Sequence, residues 1–283
     1  SYIKWLNNIN VPVLSSSGAK KGFYLKERDF EPAEIKLLID AVNSAGFITP
    51  KKTADLTEKL KNLLSVNQAN ELTSQVYCEV ANKCNNEEIY HTINMLDVAI
   101  KNCEKVKFQY RTRKIDKEKK KSYTVKTFVV SPYGLVWKND NYYLICNKES
   151  HDNLMSMRLD RIRNIIVLQI PSRPVWECCD YKDGFDIADY TSKMFNMFGG
   201  DFMPVTFVCD LDLREQILDR FGEKIKLDGV DVNHFRTTVD VAVSDGLVSW
   251  IMQFGDQIKV EEPRRLVDLI KEKTEKIANL YSC

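Results

Sequence analysis

Between Ser131 and Ile162 the chain reads SPYGLVWKNDNYYLICNKESHDNLMSMRLDRI, and this stretch limits the possible folds more than any other. Tyr133 to Lys138 is apolar and aromatic, and so is Tyr142 to Cys146. Asn139, Asp140 and Asn141 lie between them and tolerate left-handed backbone angles, so the two runs are expected to pair as antiparallel strands about a tight turn. A third run, Leu154 to Leu159, leads into Asp160 and Arg161 and carries Arg158 near its end. Two guanidinium groups and several aromatic rings on one small sheet form the side-chain set that holds a phosphate and stacks a base.

Upstream, Val106, Phe108 and Tyr110 alternate with polar residues from Lys105 onward. A charged tip from Arg111 to Lys121 then leads to Tyr123–Val130, which predicts a long hairpin. That tip is basic, and either steers a polyanion or keeps an exposed hairpin in solution. At the start of the chain Tyr2, Trp5, Leu6 and Ile9 have helical spacing. Val11–Leu14 and Gly22–Leu25 are short apolar strands joined by a loop with Gly18, Lys20 and Lys21. A helix followed by a basic hairpin is the pattern of the back half of a winged helix-turn-helix. Lys4, Lys20 and Lys21 are its candidate phosphate contacts, the other reading being a solvated loop. A complete reader needs on the order of 50 to 60 residues, so the DNA-reading part is expected to be truncated here.

Three helical stripes follow. Ile35, Leu38, Ile39 and Val42 run up to Gly46, Thr49 and Pro50 open a helix with Leu56, Leu60, Leu63 and Leu64 on one face, and Ile89, Ile93, Leu96 and Ile100 recur between Asn86 and Cys103. These faces are expected to pack helix on helix, within one chain or about a two-fold axis. Beyond Pro171 and Pro174 the spacing predicts a helix over Ile187–Met197 ended by Gly199 and Gly200. Strand, helix, strand, strand, helix, strand and helix then follow, the order of a split β-α-β, ferredoxin-like domain.

Composition excludes several classes of function. The chain has 41 basic and 40 acidic side chains for a net charge of +1, so any nucleic-acid surface is local. No run approaches the roughly 18 apolar residues of a membrane span, and a cytoplasmic protein is expected. Eight cysteines include no C-x-x-C pair, and the three histidines His91, His151 and His234 show no ligand spacing, so neither metal nor cofactor is expected. Without a phosphate-cradling glycine loop or a nucleophile elbow, binding rather than catalysis is the expected activity.

The order of residues in the Ser131–Ile162 stretch resembles the WYL domain, a small SH3-like or Sm-like β-barrel of bacterial transcription regulators. Its signature tripeptide falls on Tyr142, Tyr143 and Leu144, with Tyr142 in place of the usual Trp. Pro132, Tyr133, Gly134 and Leu135 match the start of its strand, and Arg158, Leu159, Asp160, Arg161 and Ile162 match its closing run. Trp250, Phe254, Gly255 and Glu262–Pro263 are similar in order to the WCX extension that follows such domains.

The resemblance implies an α+β protein. Residues 1–27 would be a winged-helix remnant of DeoR type, 28–104 a helical connector, 105–170 the SH3/Sm-like barrel, 171–200 a linker with a helix, and 201–283 the ferredoxin-like WCX domain. It further implies a ligand-responsive regulator that binds DNA, forms a homodimer, and senses a nucleotide or single-stranded nucleic acid through Tyr133, Tyr143, Arg158 and Arg161. Two readings compete with it. In one, Arg158 and Asp160 are a structural ion pair beside packed tyrosines; in the other, the chain is an interaction module that does not bind DNA.

Overall fold

A computed structural model of the chain describes residues 2–9, 13–16, 22–25, 29–72, 83–115, 121–179, 181 and 184–282. They belong to two compact units that divide between Glu87 and Glu88.

The first unit opens with helix α1 (Tyr2–Asn8) and an antiparallel hairpin of β1 (Val13–Ser16) and β2 (Gly22–Leu25), with Val13 opposite Leu25. Three helices follow, α2 (Pro32–Ser44), α3 (Pro50–Lys61) and α4 (Val66–Glu71). Pro32 and Pro50 stand in first turns, where no backbone N–H is needed. Thr49 accepts from Lys52 N at 3.2 Å, and Ser65 and Gln68 close a capping box on α4. The stripe on α2 buries Ile35 and Ile39 against Leu64, with Leu60, Ala69 and Leu72 around them. Lys83 donates to the carbonyls of Val42 and Ala45 and to Thr53 Oγ1, which satisfies acceptors that the end of α2 leaves open.

The second unit begins with α5 (Ile89–Lys101), which buries Ile89, Leu96 and Ala99. Its stripe packs on a sheet. That sheet has five antiparallel strands, β3 (Glu104–Ile115), β4 (Lys121–Lys138), β5 (Asn141–Asn147), β6 (Met155–Arg158) and β7 (Ile162–Pro171), in the order β6-β5-β4-β3-β7. The β4–β5 turn takes two of the three expected residues. Asn139 and Asp140 have φ of 50° and 54°, and Lys138 pairs with Asn141.

The SH3/Sm-like barrel expected here is not closed. Strand β4 spends its first half on β3 and its second on β5, with a bulge at Tyr133. A 3-10 turn, Leu159–Arg161, carries the chain between the two edge strands, and among the described residues β6 and β7 do not pair.

The linker holds a 3-10 turn at Val175–Glu177 and α6 (Ile187–Ser192). This helix stops five residues before the expected Met197. Lys138 Nζ donates to the carbonyls of Thr191 and, at 3.2 Å, Met194; Arg220 Nη2 donates to those of Ser192 at 3.2 Å and Met194 at 3.0 Å. With its carbonyls taken from outside, the chain turns away through Asn196 and Met197, both at positive φ. Burial, with the Arg220 guanidinium nearby, lowers Lys138 to about 8.

The last sheet runs β11-β8-β10-β9, built from β8 (Asp201–Asp210), β9 (Asp228–Gly229), β10 (His234–Val243) and β11 (Ile258–Glu262). Helices α7 (Arg214–Phe221), α8 (Asp245–Met252) and α9 (Arg264–Tyr281) cover it. Alternation along β8 buries Val205, Phe207 and Cys209. Against them pack Ile217 of α7, Leu247 and Ile251 of α8 and Leu266 of α9, each such burial worth about 1.5–3 kcal/mol. Gly246 lets α8 approach the Phe195 carbonyl, which a Cβ would meet at 2.4 Å.

Candidate effector site

Strand pairing sets Tyr143 of β5 directly across from Arg158 of β6, which puts both side chains on one face of the sheet. The Arg158 fork grips Asp160, Nε to Oδ1 at 3.0 Å and Nη2 to Oδ2 at 2.9 Å. Its backbone N–H donates to the Tyr110 hydroxyl at 3.3 Å. Asp160 holds the Arg158 guanidinium above its ordinary range. Burial raises the Tyr143 phenol, and Arg158, Asp160, Arg161 and Tyr110 all stand close enough to act on it.

Arg161 closes the 3-10 turn, partly exposed. Among the described residues it has no hydrogen-bond or ion-pair partner. The corner therefore offers one guanidinium already oriented by a carboxylate and a second that is uncommitted, beside a half-buried ring. Such a corner can take an anion with a flat group attached.

Three of the four expected residues thus come together, and the fourth is engaged elsewhere. Tyr133 stands on the β4 bulge, where its hydroxyl donates to the Arg173 carbonyl at 2.8 Å and lies 3.6 Å from Cys178 Sγ. Its ring meets Phe185 edge-on at 6.4 Å, in a cluster that continues through Tyr181, Tyr190 and Phe202 and on which Tyr143 also packs. Burial, with Cys178 adding, raises the Tyr133 phenol. Tyr110 belongs to the corner although spacing did not mark it. It is 48 residues from Arg158, and only the fold joins them.

Lys4 is exposed on α1, while Lys20 and Lys21 lie outside the described residues. Among the described residues no cluster of His, Cys, Asp and Glu is arranged to hold a metal, and no helix is long and apolar enough to cross a membrane. Cys146, Cys178 and Cys209 are buried free thiols, and burial pushes Cys209 up to about 12.

Residues 91–167 match the family model of the WYL domain, and residues 202–278 match that of the WCX domain. The chain therefore contains a WYL domain, which includes the corner described above, followed by a WCX domain built on the four-stranded sheet. No curated protein matches the chain. Among solved structures it is similar to the proteasome accessory factor B/C (PafBC) of Arthrobacter aurescens, at 15% identity and a TM-score of 0.31. That similarity covers 93% of this chain and 37% of that one, so this chain spans little more than a third of that protein's length.

Proposed function

We propose that the protein is a ligand-responsive transcription regulator whose WYL domain senses an anionic effector, a nucleotide or a short single-stranded nucleic acid. The observation that carries this reading is the corner itself, where Arg161 has no partner among the described residues beside the Arg158–Asp160 fork and Tyr143. Arg161 and the open edge of Arg158 take the phosphate, and Tyr143 offers its ring to the base. Tyr133, its hydroxyl spent on Arg173, contributes packing through the shared aromatic cluster. α1 and the β1–β2 hairpin, with Lys4, Lys20 and Lys21, act as part of a DeoR-type winged helix-turn-helix that contacts DNA. Effector binding shifts a homodimer between two arrangements of its paired DNA readers. Binding is the activity, and no catalytic step belongs to it.

The test is a titration of cyclic nucleotides and short single-stranded oligonucleotides against the wild type and an Arg158→Ala, Arg161→Ala double variant. Loss of charge-assisted hydrogen bonds worth about 1.5–3 kcal/mol each predicts at least a tenfold weaker Kd. Equal affinity in the two proteins would overturn the proposed site.

A further inference from the structure

Among the described residues, beyond Tyr110, which pairs with Ile162, β3 has no strand partner but β4, and before Ser131 β4 has none but β3. The far part of the hairpin, Arg111–Ile115 opposite Lys121–Val125, is therefore a two-stranded ribbon that leaves the sheet, and residues 111–114 and 123–127 are exposed. Its charge is one-sided. Residues 107–115 and 121–130 contain Lys107, Arg111, Arg113, Lys114, Lys121 and Lys126 and no carboxylate, in a chain whose net charge is only +1, so the rest of the molecule is net acidic. Among the described residues none of Lys107, Arg111, Arg113, Lys114 and Lys126 makes an ion pair.

The register distributes these cations over both faces. Arg111 and Arg113 lie opposite Val125 and Tyr123 on one face, and Lys114 and Lys126 lie on the other. Alternate residues of a strand repeat about every 6.7 Å. A platform for single strands would gather its cations on one face among several aromatic rings, whereas Tyr123 is the exposed aromatic here. A ribbon with positive charge on both faces fits between two lines of phosphate, and the major groove of a duplex admits a two-stranded ribbon.

We infer that the β3–β4 ribbon is a second nucleic-acid contact, a sequence-blind clamp for duplex DNA that is separate from both the effector corner and the N-terminal module. Each phosphate neutralised contributes about 0.9 to the slope of log K against log salt. The experiment measures anisotropy of a labelled mixed-sequence duplex across a KCl series, with the full chain and three variants. Arg111→Gln, Arg113→Gln, Lys114→Gln is expected to weaken binding about tenfold or more at low salt and to flatten the slope by about 2 to 3. Lys271→Gln, Lys273→Gln, Lys276→Gln on α9 removes the same charge elsewhere and is expected to change neither quantity. Arg111→Lys, Arg113→Lys keeps the charge and is expected to bind as the wild type does, so loss there would overturn an electrostatic contact. An unchanged slope in the ribbon variant, an equal loss in the α9 variant, or tighter binding of the single strand than of the duplex would each overturn the inference. Effector affinity is read at Arg158 and Arg161 in a separate titration, so failure of one proposal leaves the other standing.

Discussion

The two sheets of the second unit treat charge differently. On and around the C-terminal sheet, several cations are matched: Arg236 with Glu261, Arg265 with Asp201, Arg264 with Asp268 and Lys276 with Glu272, while Lys259, Lys271 and Lys273 make no ion pair among the described residues. The five-stranded sheet has matched pairs at Lys105–Glu149 and Arg158–Asp160. Yet Arg161 and the ribbon cations Arg111, Arg113 and Lys114 have no counterion among the described residues. A surface that neutralises itself needs nothing further from solution, whereas one that leaves guanidinium groups uncommitted presents a field to anions. This contrast supports placing the proposed effector and DNA contacts on the central sheet.

The most forceful way to break the contrast is Phe207→Ala. Phe207 is fully buried in the C-terminal core, and its truncation is expected to cost about 3–5 kcal/mol in urea denaturation. Effector Kd, measured under conditions where the variant is folded, should stay the same. A parallel loss of effector affinity would show that the C-terminal domain contributes to the site. A smaller effect sharpens the picture. Asp160→Asn removes the anion that competes for Arg158, and effector binding is expected to tighten by about 1 kcal/mol, roughly fivefold. Weaker binding would show instead that Asp160 serves the site by orienting the guanidinium. Smallest of all is Arg236→Gln, which opens an exposed, matched pair. Neither the melting temperature nor DNA affinity should move measurably, and a clear drop in DNA binding would erase the distinction between the sheets.

Much of this fold was legible because local chemistry and global topology agree. Asn139–Asn141 reads as a turn in the sequence, and Asn139 and Asp140 form it in space, since both residues accept the positive φ that a two-residue hairpin requires. The order from β8 to α9 followed from hydrophobic period and from the glycine and proline boundaries. What failed depended on partners distant in sequence. The helix after Ile187 ends early because Lys138 and Arg220 reach its carbonyls from other elements. The short strand Asp228–Gly229 has no apolar run of its own and is placed by pairing with Phe235 and Arg236. Helix α4 has too short a stripe to stand out, although its Ser65–Gln68 capping box was there to be read. At the candidate site, motif order singled out Tyr133, Tyr143, Arg158 and Arg161. Alternation could assign them faces but not neighbours, so the contact with Tyr110 and the diversion of Tyr133 to Arg173 emerged only with the register and the bulge.

The Met194 carbonyl receives both Lys138, at the tip of the β4–β5 hairpin, and Arg220, from α7 of the C-terminal domain. Sliding either sheet past the other would strip one of these cations of an acceptor while the Arg220 guanidinium stays wedged over the Phe195 ring, 4.1 Å from its centre. The junction is a riveted corner, and a tug on the hairpin is felt in α7 before it can be absorbed by slack.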